Sequence, residues 1–279
     1  MALRIGSSTP TKLYLGSTEV TKAYLGNVEA YSSAPSFDAD AQAYITAVET
    51  ADLAALEPAV KTAINDFVVG CKADGIWNAI KASCIMAGAR TMFGALVPLK
   101  GTAPINYNFV PADYNRRTGL VGNGSNKNLN SNRNNNADPQ NNNHIAAYST
   151  AFNGNNYVFM GAADPFNQTG ANALGINVTN SCFSRNRTGT GTIVSGTFST
   201  GLVGNSRAAA ASYTIRRSAS NSTAPVTSQT PTNRDVFVYG RAASSYAPCR
   251  LAFYSIGESL DLALLDARVT TLINAYGAI

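Results

Sequence analysis

The sequence predicts a mainly β protein: an antiparallel β-sandwich with an N-terminal β-ribbon and a short helical segment before it and an amphipathic helix after it. Three observations predict it. Between Thr91 and Ile256, apolar and polar residues alternate among abundant Gly, Asn, Ser and Thr, as in a succession of short strands and tight turns. Near the end, Leu262, Leu265, Val269, Leu272 and Ile273 recur at helical steps and mark one apolar face. At the start, Thr11-Lys12-Leu13-Tyr14-Leu15-Gly16-Ser17-Thr18-Glu19-Val20 is followed by Thr21-Lys22-Ala23-Tyr24-Leu25-Gly26-Asn27-Val28-Glu29-Ala30, a repeat of period ten.

Each repeat unit reads as one short strand and one turn, because Tyr and Leu favour extended backbone while Gly-Ser and Gly-Asn supply positive φ. A ribbon this small is marginal alone in water. It must cover itself, either on another protein or on its own C-terminal domain, and the linker-like Ser32-Ser33-Ala34-Pro35-Ser36 favours the former. Residues 1–33 are therefore expected to be an anchoring segment.

From Phe37 to about Gly88 the pattern is helical: Tyr44 with Val48, then Val60, Ile64, Phe67 and Val68, recur at three- and four-residue steps. Asp38 fits an N-cap, Pro58 a first turn, and Asp74-Gly75 a helix end. Ile76, Trp77 and Ile80 read as the start of a further short helix. Residues 34–88 are expected to form a stalk or connector, and 89–279 the sandwich with its terminal helix. Within the sandwich, Tyr157–Met160, Gly191–Val194 and Val236–Tyr239 read as strands. The Asn-rich stretch Gly122–Asn143 reads as a loop or polar edge, its amides serving turns or sugar hydroxyls.

The chain has 279 residues, 45% hydrophobic and 13% charged. Its longest apolar runs, Ile85–Ala89 and Phe93–Val97, fall far short of a membrane span. Met1–Gly6 lacks the apolar run of a secretory signal, so synthesis and assembly in a host cytoplasm are expected. The cysteines at 71, 84, 182 and 249 have no paired spacing and His144 is the lone histidine. Zinc is not expected, and the cysteines read as small core residues, with later bridging left open. Between Gly75 and Gly257 the only carboxylates are Asp113, Asp138, Asp164 and Asp235, against twelve arginines and three lysines. That balance suits an acidic partner or envelope phosphate, or merely a solvated surface. No motif for specific nucleic-acid binding accompanies it.

Two segments carry a family likeness. Val60 to Asn78, with its Asp74-Gly75-Ile76-Trp77 helix end, stands before the β region, and Phe253-Tyr254-Ser255-Ile256-Gly257-Glu258-Ser259-Leu260 stands before the final helix. In that order, over roughly Asp38 to Ala278, the chain resembles phage structural proteins with a concanavalin-like lectin/glucanase (jelly-roll) domain, which carry an "x-x-G-I/L-W" helix end and an "F-x-x-I-G-x-x-L" segment. The Tyr-Leu-Gly repeat resembles N-terminal segments of phage tail and other virion proteins. The chain departs from the pattern at Cys84-Ile85-Met86-Ala87-Gly88, where such proteins often carry "Y-P-F-x-G".

The resemblance implies a virion structural protein. Hydrolysis is not expected: the sandwich has no glutamate before Glu258, no close Asp pair and no Glu-x-Asp-x-x-Glu strand. His144 reads as a polar loop residue. Gly122-Asn123-Gly124 lacks the helix of a nucleotide site. The expected role is a tail-associated fibre or receptor-binding component touching host surface polysaccharide, or alternatively a capsid or neck decoration protein. Particle attachment falls to Tyr14, Leu15, Gly16, Tyr24, Leu25 and Gly26, and glycan contact to Asn134, Asn135, Tyr148 and Tyr157. No cofactor is expected, and the ribbon and helices suggest a homo-oligomer, with a trimer favoured.

Overall fold

The computed structural model describes residues 12–32, 37–164, 167–196, 199–241 and 245–277. Two compact units divide the chain, Met1–Asp38 and Ala39–Ile279. Residues 1–11 and the 33–36 part of the expected linker lie outside the described residues.

In the first unit each repeat is a complete two-stranded hairpin rather than one strand. β1 (Leu13–Leu15) pairs with β2 (Thr18–Val20), and β3 (Lys22–Leu25) with β4 (Val28–Ser32). Gly16 and Gly26 take positive φ at the turns, which glycine does without steric cost. Lys12 and Glu19 pair across the first hairpin.

The second unit has three layers. The middle one is a nine-stranded antiparallel sheet. It is built on β5 (Ile80–Ile85), β6 (Pro98–Lys100), β11 (Asn143–Phe152), β16 (Gly201–Arg207), β17 (Tyr213–Arg217), β18 (Ser220–Ala224) and β20 (Cys249–Gly257), with β8 (Tyr114–Asn115) and β9 (Gly119–Val121) attached through β20. A seven-stranded sheet packs on one face of it, in the order β15 (Thr192–Val194), β14 (Cys182–Asn186), β13 (Asn172–Ile176), β12 (Tyr157–Ala162), β19 (Asp235–Val238), β10 (Asn128–Asn134) and β7 (Ile105–Tyr107). Ile145, Val203, Ile215 and Leu251 from one sheet meet Phe159, Leu174, Ile176 and Val238 from the other in a continuous apolar core. The arrangement is a concanavalin-like antiparallel sandwich.

Helices cover the other face of the nine-stranded sheet. α1 (Ala39–Asp52) begins directly after Asp38, α2 (Pro58–Ala73) has Pro58 in its first turn and ends at Asp74, with Gly75 at positive φ, and α4 (Leu262–Gly277) closes the chain. The residues on the expected helical faces, Tyr44, Val48, Val60, Ile64, Phe67, Val68, Leu262, Leu265, Val269, Leu272 and Ile273, are all buried. Phe67 of α2 meets Phe253 of β20 edge-on at 5.8 Å. Asp52 accepts from the Arg90, Thr91 and Gly94 amides and the Thr91 hydroxyl, tying α1 to the short α3 (Met92–Ala95). Asp74 receives Arg268 of α4 in a bidentate pair.

This packing corrects the expected stalk. The segment 34–88 is not separate from the sandwich, because β5 lies inside the nine-stranded sheet between β20 and β6. After Ile76 the chain makes one 3-10 turn, Trp77–Ala79, and enters β5 directly. The expected strands at Tyr157–Met160, Gly191–Val194 and Val236–Tyr239 match β12, β15 and β19 to within two residues. All four cysteines are free and buried, and burial pushes the Cys71, Cys84 and Cys182 thiols up to about 12.

The Asn-rich stretch is the largest departure. It holds a full strand, β10, and Asn128, Asn130, Ser131, Asn135, Asp138 and Asn143 are buried. Some amides do serve turns: the Asn123 side-chain oxygen accepts from the amides of Ser125, Asn126 and Lys127. Others bridge the sheets. Asn205 of β16 donates to the Asn172 side chain, the Ser184 hydroxyl and the Arg185 carbonyl, while Asn186 donates to Asn205 and Asn172 to Asn143.

Beside this layer Arg207, fully buried, donates to the carbonyls of Asn186, Ala209, Ala210, Ser212 and Val226. Replacing Arg207 by Met leaves those carbonyls without their donor in a site closed to water. It is expected to cost at least about 3 kcal/mol in urea unfolding. Arg207→Lys should rescue little, since one ammonium cannot reach a fan of five acceptors. A Met variant within about 0.5 kcal/mol of wild type would show that the clamp holds nothing.

Candidate functional site: a groove on the seven-stranded sheet

The seven-stranded sheet has one face on the core and, along β14, one turned away from it. Cys182, Ser184 and Asn186 are buried, while Phe183 and Arg185 between them are only partly covered. In register, Arg185 stands opposite Ala173 of β13, Ala173 opposite Gly161 of β12, and Gly161 bridges to Arg241. The next row runs from Phe183 through Gly175 to Val158. Small residues thus form a floor between larger walls. It cannot be raised without strain: a Cβ on Gly175 would lie 2.3 Å from the Tyr157 carbonyl oxygen.

Beside these rows a cleft of about 190 Å³ is lined by Asn156, Tyr157, Val158, Ile176, Asn177, Phe183, Arg241 and Ser245. Asn156 takes positive φ at the turn into β12. The Asn177 side-chain oxygen holds its own turn by accepting from Thr179 and Ser181. Arg185 lies over the Phe183 ring at 5.1 Å. Both Arg185 and Arg241 donate to the Gln168 side-chain oxygen, and Gln168 is oriented by donating to the Asp164 carbonyl. Burial lowers both guanidinium pKa values, and Arg241's charge lowers Arg185 further.

The expected glycan residues do not gather here. Asn134 is half-buried and donates to Asn233 and Asp235. Asn135 is buried, holding Gly170 and Thr232 carbonyls and accepting from Arg187. Tyr148 is buried because its strand carries it on the face where Phe253, its partner in register, meets the helices. Tyr157 lines the cleft but is 4% exposed, with its ring edge-on to Phe159 in the core. Only Tyr157 of the four borders the groove. The residues expected to anchor behave differently: Tyr14, Leu15, Tyr24 and Leu25 are exposed at equivalent hairpin positions, Leu15 at 80% and Leu25 at 71%.

The four sandwich aspartates are engaged one by one: Asp113 with Lys127, Asp138 with Arg133, Asp164 with Arg234, and Asp235 with the Asn130 and Asn134 amides. Among the described residues no cluster of three or more His, Cys, Asp or Glu could hold a metal ion, and no helix is long and apolar enough to cross a membrane. The basic excess also turns inward, with Arg187 and Arg207 fully buried and Arg216 paired with Asp266. Trp77 is pinned by Asp40 and covered by Lys100 at 4.3 Å, which makes it a packing element.

His144 is not a loop residue. It lies on β11, buried, with Nδ1 at the Glu258 carbonyl and Nε2 at the Ser255 hydroxyl. A carbonyl only accepts, so Nδ1 carries the proton and Nε2 accepts from Ser255. Burial pushes the imidazole down to about 4.

No family model matches the chain, and no curated protein matches it in sequence. Among solved structures it is similar to the binding domain of botulinum neurotoxin serotype D, at 11% identity over 70% of this chain and 51% of that one, TM-score 0.47. It is similar to a Trypanosoma rangeli sialidase mutant displaying trans-sialidase activity, at 10% identity over 77% and 39%, TM-score 0.44. It is also similar to domain 4 of an extracellular arabinanase from Geobacillus stearothermophilus, in complex with arabinotriose, at 11% identity over 60% and 82%, TM-score 0.39. The chain thus spans about half or less of the first two.

Because His144 resists protonation in the folded state and accepts a proton near pH 6.5 when unfolded, its contribution is complete above pH 6.5. It is lost as pH falls through about 4. Up to about 3 kcal/mol is at stake. Unfolding free energy should decline over that window, and the decline should flatten in His144→Gln. Equal slopes for the two proteins would contradict the assignment.

Proposed function

We propose that this chain is a non-enzymatic, tail-associated receptor-binding component of a phage particle. It holds a host surface glycan in the groove of its seven-stranded sheet and attaches to the particle through its paired hairpins. The observation that carries the reading is the groove itself, where Phe183, Asn156, Asn177 and Arg241 line one cleft and Arg185 stands beside it, over the Phe183 ring and sharing the Gln168 oxygen with Arg241. Sugars present C–H faces and hydroxyls together, and aromatic, amide and arginine groups answer both.

The aspartates favour binding over hydrolysis, since each already serves a structural partner. The particle context rests on the Gly75-Ile76-Trp77 and Phe253–Leu260 segments in their order. The hairpins expose Tyr14, Leu15, Tyr24, Leu25 and Val28 in a unit too small for a core of its own. Attachment to a shell would use the same hairpins; the groove is what favours the receptor-binding role over decoration. In this reading a homo-oligomer is built through the hairpins, whose Tyr and Leu side chains are exposed.

Wild-type protein on a panel of immobilised neutral and acidic oligosaccharides should show binding that falls about tenfold or more in Phe183→Ala and Asn156→Ala. Binding unchanged in both variants would remove the groove from the reading. Deleting residues 1–33 should leave the sandwich folded and sugar binding intact while abolishing incorporation into particles and reducing any oligomer to monomer in light scattering. Normal incorporation of that truncation would remove the anchoring role.

A further inference from the structure

The arginines of the groove narrow the proposed glycan to one chemical class, an inference that rests on the glycan-binding role itself. Arg185 and Arg241 end one cross-strand row, with only Ala173 and Gly161 between them. Three strand spacings separate them, about 14 Å in an ordinary sheet. Two extended arginines cover that span, and because the intervening residues are small their guanidiniums meet above the floor. The acceptor they share is uncharged, the amide oxygen of Gln168.

Arg185 is unusual among the covered arginines of this chain. Arg133, Arg216 and Arg268 each have a carboxylate, and Arg187 and Arg207 have backbone carbonyls. Arg185 has the one Gln168 oxygen and the Phe183 ring, and its buried Nε has no hydrogen-bond acceptor among the described residues. Two cations drawn to one neutral oxygen repel each other, and a second negative oxygen in that place would relieve the repulsion and fill the missing acceptor. A carboxylate is the charged isostere of the primary amide already seated there.

We propose that the groove is selective for carboxylated sugars, with Arg185 and Arg241 clamping the sugar carboxylate from opposite ends of the Ala173–Gly161 floor while Asn156 and the Phe183 ring hold the rest of the residue. Gln168, fixed by the Asp164 carbonyl, serves as the stand-in acceptor that the carboxylate displaces or joins. Planar guanidinium forks match a planar carboxylate from two sides.

The test is equilibrium binding of the full chain to oligosaccharides carrying a uronic or sialic acid, to the methyl esters of the same compounds, and to sulfated and phosphorylated sugars. The free acids should bind about tenfold or more tighter than their esters, with a preference that weakens as salt rises. The preference should collapse in Arg185→Gln and Arg241→Gln. If acid and ester bind wild type equally, the proposal fails while the glycan-binding reading stands. It fails likewise if the variants melt as wild type and keep the preference, or if sulfated or phosphorylated sugars bind tighter than carboxylated ones. Should the variants not fold, the acid-against-ester comparison on wild type decides alone. No binding to any sugar overturns both the inference and the reading beneath it.

Discussion

Arg207 and the asparagines beside it occupy space between the two sheets where a sandwich ordinarily carries aliphatic side chains. The rest of the structure depends on how completely they are satisfied. Asn205 alone donates toward Asn172, Ser184 and the Arg185 carbonyl, and accepts from Asn186. Arg207 gathers carbonyls from β14, from the turn after β16 and from the segment after β18. A buried polar layer with its partners in place sets register, because a slip by one residue would strand several of these groups at once. The same layer with one partner missing would be worse than an apolar core.

That layer also positions the groove. β14 alternates between the two roles: Ser184 and Asn186 point into the polar bridge, and Phe183 and Arg185 point away from it. Just beyond, Arg187 anchors the loop after β10 through the Asp138 and Pro139 carbonyls, its own pKa lowered to about 10 by burial. A strand pinned from within presents its outer side chains in one place, as a recognition surface needs. The division of labour runs through the whole unit: helices cover the nine-stranded sheet on one side, and the seven-stranded sheet leaves Phe183 and Arg185 partly uncovered on its outer side.

Much of the fold was legible in the sequence because it follows from period. The buried faces of α2 and α4 could be read residue by residue from three- and four-residue steps, and β12, β15 and β19 from short β-branched and aromatic runs. The Asn-rich stretch misled because an asparagine's burial depends on a partner from another strand. Asn143 meets Asn172, and Asn135 meets Arg187, pairings that no single segment reveals. Tyr148 and His144 misled for a related reason. On a sheet covered on both faces, alternation no longer separates inside from outside. The groove was out of reach for the same cause, since Arg185, Ala173, Gly161 and Arg241 become neighbours only once register is known. One signal was present: Cys182-Phe183-Ser184-Arg185-Asn186-Arg187 alternates small or amide residues with large ones, as in a strand with two committed faces.

The central claim is that function sits in the groove beside β14 of the seven-stranded sheet. Mapping amide and arginine side-chain resonances during titration with a carboxylated oligosaccharide tests it most directly. The account predicts perturbations confined to Asn156, Gln168, Asn177, Phe183, Arg185 and Arg241, with the Arg185 Nε–H shifting among the most. Perturbations gathered instead around Trp77 and Lys100, or along the hairpins, would contradict it.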